Sequence, residues 1–179
     1  LMTLLFAGVA VLGWSVLLEP YQRGRLLTFL DPGRDPLGDG YNLTQSIIAI
    51  GSGNWFGRGI GFGSQSQLRF LPESHSDFIF AVIGEELGFA GVMILLVLYG
   101  LLAWRLLVIA RRTRSDFGQI ICVGVAVAIV GQATIHMGIN MGLLPVTGLS
   151  LPFISSGGSY ILAVMAMLGL AQSVAVHST

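Results

Sequence analysis

Residues 70–87 read FLPESHSDFIFAVIGEEL, and here a group of acids and one histidine runs directly into a long apolar segment. Pro72 suits a first helical turn, because its φ is already helical and its missing N–H would have no partner there. The stretch therefore predicts a helix that begins close to Glu73. Such a helix places Glu73 and Asp77 on one face, four residues apart, with His75 turned away from both.

The composition is that of a membrane protein. Of the 179 residues, 54% are hydrophobic and only 10% are charged, whereas a soluble domain carries about 25% charged residues. The formal net charge of +0 argues against a nucleic-acid partner. Cys122 is the single cysteine, which excludes an intramolecular disulfide and a thiolate metal cluster. The chain opens at Leu1 with neither a start Met nor a basic segment. We therefore expect its first apolar run to belong to a longer protein rather than to be a signal peptide.

Four apolar runs are predicted to cross the membrane as helices, because about 20 apolar residues span its hydrocarbon core. They lie at about 1–18, 87–110, 117–137 and 160–176. A buried core helix is the alternative for the first of them. The expected fold class is an all-α, polytopic helical bundle that forms one integral membrane domain, with short helices in a long extracytoplasmic loop. The outer loops are about 19–77 and 138–159, and the cytoplasmic loop is about 111–116.

An arginine cluster orients the spans. The sequence RRTR at residues 111–114 is followed by a single acid, Asp116. By the positive-inside rule this short connection is cytoplasmic, and Asp77 accordingly faces outward. Ser115 is the predicted N-cap of the span that follows.

Two connections carry glycine-rich patterns. Residues 51–63 resemble a nucleotide-binding loop only superficially, because no strand of a βαβ unit precedes them. We interpret them as flexible backbone packed close to the membrane surface, after a short amphipathic or re-entrant helix at residues 43–50. The last span opens with a cluster that offers free N–H groups to an anion, and ordinary capping is an equally weighted alternative. Its members are Ser155, Ser156, Gly157, Gly158 and Ser159.

Asp77 has two interpretations. Ser74 and Asp77 fit the S-x-x-D capping pattern, in which Asp77 only closes the first turn of its helix. Ionisable side chains are costly near lipid, however, so two acids and an imidazole at the boundary form a candidate site. His136 lies within the third span, where a polar side chain usually bonds across helices, and we favour a structural role for it.

Three stretches resemble the SEDS family (shape, elongation, division and sporulation) of the RodA/FtsW type, the membrane glycosyltransferases of peptidoglycan synthesis. They are EPYQRGRLLTFLDPGRDPLGDGYN at 19–42, FLPESHSDFIFAVIGEELGFAG at 70–91 and NMGLLPVTGLSLPFISSGGS at 140–159. The sequences RLLTFLDP and HSDFIFA resemble RodA more than FtsW, which favours a role in cell elongation and shape over division. The resemblance also implies that further N-terminal spans belong to the complete protein, and that this chain is inactive without them.

By this resemblance, Asp77 is the family's essential carboxylate, and Ser76 stands where the family's H-T-D-F pattern has threonine. The implied reaction joins lipid II to the 4-hydroxyl of an acceptor sugar. Pyrophosphate leaves without protonation by a carboxylic acid, so a single general base suffices, and Asp77 is the candidate. A divalent cation, Mg or Mn, held by Asp77 and Glu73 is the candidate cofactor. The candidate substrate-binding residues are Glu73, His75, Arg58, Arg69, Ser155, Ser156, Gly157, Gly158 and Ser159.

The resemblance further implies partners and a location. A class B penicillin-binding protein, lipid II and the growing glycan strand are the expected partners, and the bacterial inner membrane is the expected location. A lipid II flippase and a non-catalytic scaffold that docks the penicillin-binding protein are the alternatives. A flippase is disfavoured because His136 is the one ionisable residue between residues 117 and 176.

Overall fold

The computed structural model describes residues 19–31, 33, 35, 38–67, 70–71 and 76–177, and this part of the chain is helical without a strand. The predicted first span, at about 1–18, lies outside the described residues. We number the six helices of the described part in chain order. They are α1 (Pro20–Leu30), α2 (Asp39–Ser52), α3 (Ser64–Gln67), α4 (Ile79–Arg112), α5 (Asp116–Asn140) and α6 (Gly158–His177).

Helices α4, α5 and α6 are long and apolar enough to cross a membrane. They contain the predicted spans at 87–110, 117–137 and 160–176, and their apolar stretches have mean hydropathies of 2.5, 2.0 and 1.8. Most of that apolar surface is not buried inside the structure. Since apolar side chains that face outward are stable in lipid, the predicted class of helical membrane protein is confirmed.

Helix α5 packs against both α4 and α6. The short connection of residues 113–115 makes α4 and α5 antiparallel, and the Ser115 hydroxyl accepts a hydrogen bond from Gly118 N (3.4 Å), which confirms the predicted N-cap. Ile129 of α5 and Val164 of α6 are fully buried in this interface. The hydroxyl of Tyr99 in α4 donates to Pro152 O (2.6 Å), so the connection before α6 is tied to the same core.

The predicted helix at residues 43–50 is present as the longer helix α2. Its buried positions recur every three residues, which is the spacing of one helical face. That face packs against α4 and α5 at the end of the bundle far from the arginine connection. The buried residues are Gly40, Leu43, Ser46 and Ala49.

The start of α4 differs from the sequence prediction. The helix begins at Ile79 with Phe78 as N-cap, and Asp77 lies in the turn before it. A start close to Glu73 is therefore wrong for this helix, although Glu73 itself lies outside the described residues. The capping interpretation of Asp77 is wrong for the same reason, because Asp77 precedes the N-cap and does not belong to the first helical turn. The backbone of this turn is bonded to distant parts of the chain instead.

Helix α4 is broken at Gly88, whose φ of 65° and ψ of −161° are not helical. The break leaves backbone groups on both sides of Gly88 without helical partners, and residues 53–63, which we call the docked loop, supply them. The bonds run from Arg58 N to Glu85 O (3.0 Å), Gly59 N to Glu86 O (3.0 Å), Phe89 N to Asn54 O (2.9 Å) and Ala90 N to Trp55 O (3.0 Å). A break in an apolar helix is stable where water is excluded only when its freed backbone groups are paired in this way.

The glycines of the docked loop allow its close approach to α4. A Cβ on Gly53 would overlap the carbonyl oxygen of Gly84, and a Cβ on Gly57 would overlap that of Glu86. The expectation of a flexible backbone here is therefore wrong. The glycine pattern reflects tight contact between two backbones rather than mobility.

Candidate functional site

Asp77 lies at the end of the bundle opposite the arginine connection, next to the C-terminus of α5 and the return segment, residues 141–157. Its side chain is half-buried. A Cβ on Gly148 would lie 3.6 Å from Asp77 Oδ2, so the carboxylate faces the backbone of the return segment. The site is thus a partly accessible carboxylate between two irregular segments at one face of the bundle.

Asn140, the last residue of α5, holds the backbone of Asp77 in place. Its Nδ2 donates to Asp77 O (3.0 Å), and its Oδ1 accepts from Ala81 N in the first turn of α4 (3.2 Å). The Asn140 side chain is completely buried. Its own carbonyl accepts from the hydroxyl of Ser46 in α2 (2.8 Å), so three helices meet at this residue.

Ser155 fixes the same turn from the other side. Its hydroxyl donates to Ser76 O (2.7 Å) and accepts from Leu151 N (2.8 Å), and the residue is 2% exposed. Two buried side chains from distant segments therefore hold the adjacent carbonyls of Ser76 and Asp77. A functional group gains precision when buried hydrogen bonds of this kind fix the backbone that carries it.

His136 lies one turn before Asn140 and is also buried. Its Nδ1 is 3.5 Å from Asn140 Nδ2, and its Nε2 makes no hydrogen bond within the described residues. The imidazole thus belongs to the group under the Asp77 turn. Its favoured structural role stays a prediction.

The predicted serine and glycine cluster is divided by the fold. Ser155 faces inward to the Asp77 turn, while Ser156 and Ser159 are exposed. Gly158 begins α6, and Gly157 packs close to the Ser150 hydroxyl. Of this cluster, the fold therefore brings Ser155 to the Asp77 turn. The anion-binding roles of the cluster stay predictions, and the Ser155 hydroxyl is already bonded to backbone groups on both sides.

Arg58 lies in a different environment from Asp77. Its guanidinium donates to Ser64 Oγ (2.9 Å) and Ser52 O (3.5 Å). Ser64 Oγ donates to the buried Glu85 carboxylate (3.3 Å), which also accepts from Gln65 N (2.9 Å). Arg58 is thus part of a polar group that joins the docked loop, α3 and α4 beside the break, and its hydrogen bonds do not reach the Asp77 turn.

Three predicted site residues, Arg69, Glu73 and His75, lie outside the described residues. Among those that are described, no three His, Cys, Asp or Glu side chains are grouped so as to hold a metal ion. Glu73, one of the two proposed ligands of the cation, is therefore not covered by this observation. The divalent cation stays a prediction.

Sequence reasoning missed Asn140. An asparagine at the end of an apolar helix is a weak signal, because polar residues at the membrane edge are common and need no partner in the protein. Its role depends on the fold, which places its amide between Asp77 O and Ala81 N.

Similarity to known proteins extends over the whole chain. The family model for FtsW, RodA and SpoVE, described as cell cycle protein, matches residues 1–179. The chain belongs to the FtsW/RodA/SpoVE family. This confirms the family resemblance that was drawn from the three stretches.

Two individual members of the FtsW/RodA/SpoVE family are each 48% identical to this chain over the matched residues. Peptidoglycan glycosyltransferase MrdB of Escherichia coli (strain K12) is 48% identical over 164 residues, which are 92% of this chain and 44% of MrdB. Probable peptidoglycan glycosyltransferase FtsW of Thioalkalivibrio sulfidiphilus is also 48% identical over 164 residues, 90% of this chain and 41% of that protein. Because the two identities are equal, they do not distinguish the MrdB and FtsW branches of the family.

One solved structure has the same fold and is described as "Structural coordination of polymerization and crosslinking by a peptidoglycan synthase complex". The TM-score is 0.73 at 38% sequence identity, and the match covers 98% of this chain and 48% of the other. The chain thus spans less than half the length of the relatives that it matches.

Proposed function

We propose that the protein containing this chain polymerises peptidoglycan glycan strands from lipid II, with Asp77 as the general base. Family membership and relatives named peptidoglycan glycosyltransferase support the reaction class. The single observation that carries the role of Asp77 is its fixed backbone. Asn140 and Ser155 hold the backbone that carries this half-buried carboxylate at the end of the bundle. Helix capping does not explain the position of Asp77, because Asp77 precedes the N-cap of α4.

The chemistry needs one base. The acceptor 4-hydroxyl attacks the anomeric carbon of the donor, a new C–O bond forms, and the bond from that carbon to the lipid pyrophosphate breaks. The pyrophosphate leaves as an anion, while the proton of the hydroxyl passes to the Asp77 carboxylate. Such a base must lie about 2.6–3.2 Å from the hydroxyl oxygen, so a rigid backbone at Asp77 directly favours the transfer.

The pyrophosphate charge needs a counter-charge at the same face. A divalent cation, Mg or Mn, on Asp77 and Glu73 would neutralise it, and Arg69 is a further candidate. The exposed residues Ser156 and Ser159 at the start of α6 offer a second contact. Arg58 is the weakest of the proposed contacts, because its guanidinium is bonded to Ser52 of α2 and Ser64 of α3.

Location and partner follow from the same proposal. The active face is extracytoplasmic in the bacterial inner membrane, which places the arginine-rich connection of residues 111–114 in the cytoplasm. The partner is a class B penicillin-binding protein, since the similar solved structure belongs to a complex described as coordinating polymerisation and crosslinking. The RodA-like motifs favour the elongation process and cell shape.

Asp77→Asn tests the proposal, because it removes the basic oxygen while the side chain keeps its size. In the complete protein, purified and supplied with lipid II, we expect glycan polymerisation to be abolished while folding and partner binding persist. Asp116→Asn is the matched control, since Asp116 is exposed in the first turn of α5 at the opposite end of the bundle. Full polymerisation by Asp77→Asn would show that Asp77 is not the base.

A further inference from the structure

The docked loop exposes four large apolar side chains within eight residues. Apolar side chains of this size rarely cluster on a surface that faces water, and such clusters mark contact with a partner or a membrane. Their exposed fractions are 69% for Trp55, 86% for Phe56, 77% for Ile60 and 78% for Phe62.

The break at Gly88 places this loop at a membrane boundary. From Phe89 to Ala110, at 1.5 Å per residue, α4 covers about 32 Å, which matches the roughly 30 Å of bilayer hydrocarbon. Arg111 and Arg112 end α4 at one limit of this run, and the exposed Arg105 can extend its long side chain to the same limit. Phe89 accordingly lies near the other limit. The ring of Trp55 packs edge-on against Phe89, with 5.2 Å between ring centroids, and the loop is therefore at the same level.

The loop is continuous with the outward face of α4. Ile94, Val97 and Leu101 of that face are more than half exposed, as side chains that contact lipid must be. Arg58 is the one charged residue of the loop, and its guanidinium points to Ser52 and Ser64 of the protein. Tryptophan, here Trp55, is enriched where a membrane meets water, because its ring is largely apolar and carries one polar N–H.

We propose that the docked loop is a membrane-interface anchor, whose four apolar side chains insert between lipid headgroups and acyl chains on the Asp77 side of the membrane. Insertion is eased because four backbone groups of the loop are already bonded to the broken ends of α4 and need no water. Lipid is favoured over a protein partner because Trp55 packs on Phe89, where the apolar run of α4 begins, and the loop adjoins the exposed apolar side chains of that run. The anchor fixes the depth of the break in the bilayer.

Site-directed spin labelling tests this proposal in the complete protein, reconstituted in vesicles of phosphatidylethanolamine and phosphatidylglycerol. A nitroxide is attached through Phe56→Cys, with Cys122→Ala and any other cysteine replaced. Its collision rates are measured with oxygen, which concentrates in hydrocarbon, and with a water-soluble nickel chelate. Val97→Cys in the middle of α4 is the deep control, and Thr147→Cys, exposed in the return segment, is the aqueous control. Ile60→Cys is the second test position.

We expect the labels at Phe56 and Ile60 to collide more with oxygen and less with the chelate than the Thr147 label, at a depth between the two controls. Chelate collisions equal to those at Thr147 would overturn the proposal, since the loop would then lie in water. An immobile label that is shielded from both reagents would also overturn it, because a protein surface would cover the loop. Neither result depends on glycan polymerisation, so the anchor and the proposed catalytic function can fail independently.

Discussion

Asn140→Ala removes the side chain that ties the Asp77 turn to the end of α5. The variant loses the bond from Nδ2 to Asp77 O and the bond from Ala81 N to Oδ1. Both partners are backbone groups. Ala81 N is buried and also donates to Phe78 O (3.0 Å), and Asp77 O lies in the half-buried turn. The variant leaves the Asp77 carboxylate itself intact.

The size of the effect follows from these two bonds. A hydrogen bond contributes about 0.5–1.5 kcal/mol net, so the loss of two costs about 1–3 kcal/mol, and Ala81 N keeps its bond to Phe78 O (3.0 Å). The roughly 5–15 kcal/mol that stabilises a typical folded protein exceeds this loss, so the variant should still fold. For the reaction, displacement of a catalytic group by about 1 Å costs on the order of 100-fold in rate. We therefore expect kcat for lipid II polymerisation to fall about 100-fold with a smaller change in KM.

Initial rates of glycan synthesis from lipid II by the purified complete protein measure kcat and KM, and thermal unfolding in the same detergent measures stability. Gln132→Ala is the matched control. Gln132 lies two turns earlier in α5, and its Nε2 donates to Ser150 O (3.0 Å), so its loss removes a similar bond away from Asp77. We expect that control to lose stability and keep its rate. If Asn140→Ala is destabilised yet polymerises at the wild-type rate, Asn140 does not position Asp77.

Three further variants test other parts of the structure. Ser155→Ala removes the hydroxyl that bonds Ser76 O and Leu151 N on the second side of the turn, and we expect slower lipid II polymerisation, with a wild-type rate contradicting a positioning role. Gly57→Ala forces a Cβ into the backbone of α4 at a φ of 77°, so thermal unfolding should shift down strongly. Its control Gly51→Ala lies in open space in α2 and should unfold at an unchanged or slightly higher temperature. Glu85→Gln keeps an acceptor for the bonds from α3, so it should unfold at a higher temperature than Glu85→Ala, and equal stabilities would show that these bonds contribute little.

The sequence by itself determined the class of the protein and its long helices. Hydropathy and length are local properties, and so α4, α5 and α6 appear where the apolar runs predicted them. The Ser115 cap and the helix that became α2 were also predicted, because each depends on residues only a few positions apart. The three stretches at 19–42, 70–91 and 140–159 were sufficient to identify the family.

Tertiary structure decided the start of α4, the form of the glycine loop and the support of Asp77. The bonds that hold the turn join residues 63 positions apart, from Asn140 to Asp77, and 79 positions apart, from Ser155 to Ser76. Local sequence patterns contain no information about such pairs. Pro72 alone therefore favoured a helix start near Glu73. Glycines at 53 and 57 equally suit a flexible or a tightly packed backbone, and only the approach of α4 distinguishes the two. A buried polar group takes whichever partner the fold brings to it, and this is why the candidate site required the folded structure.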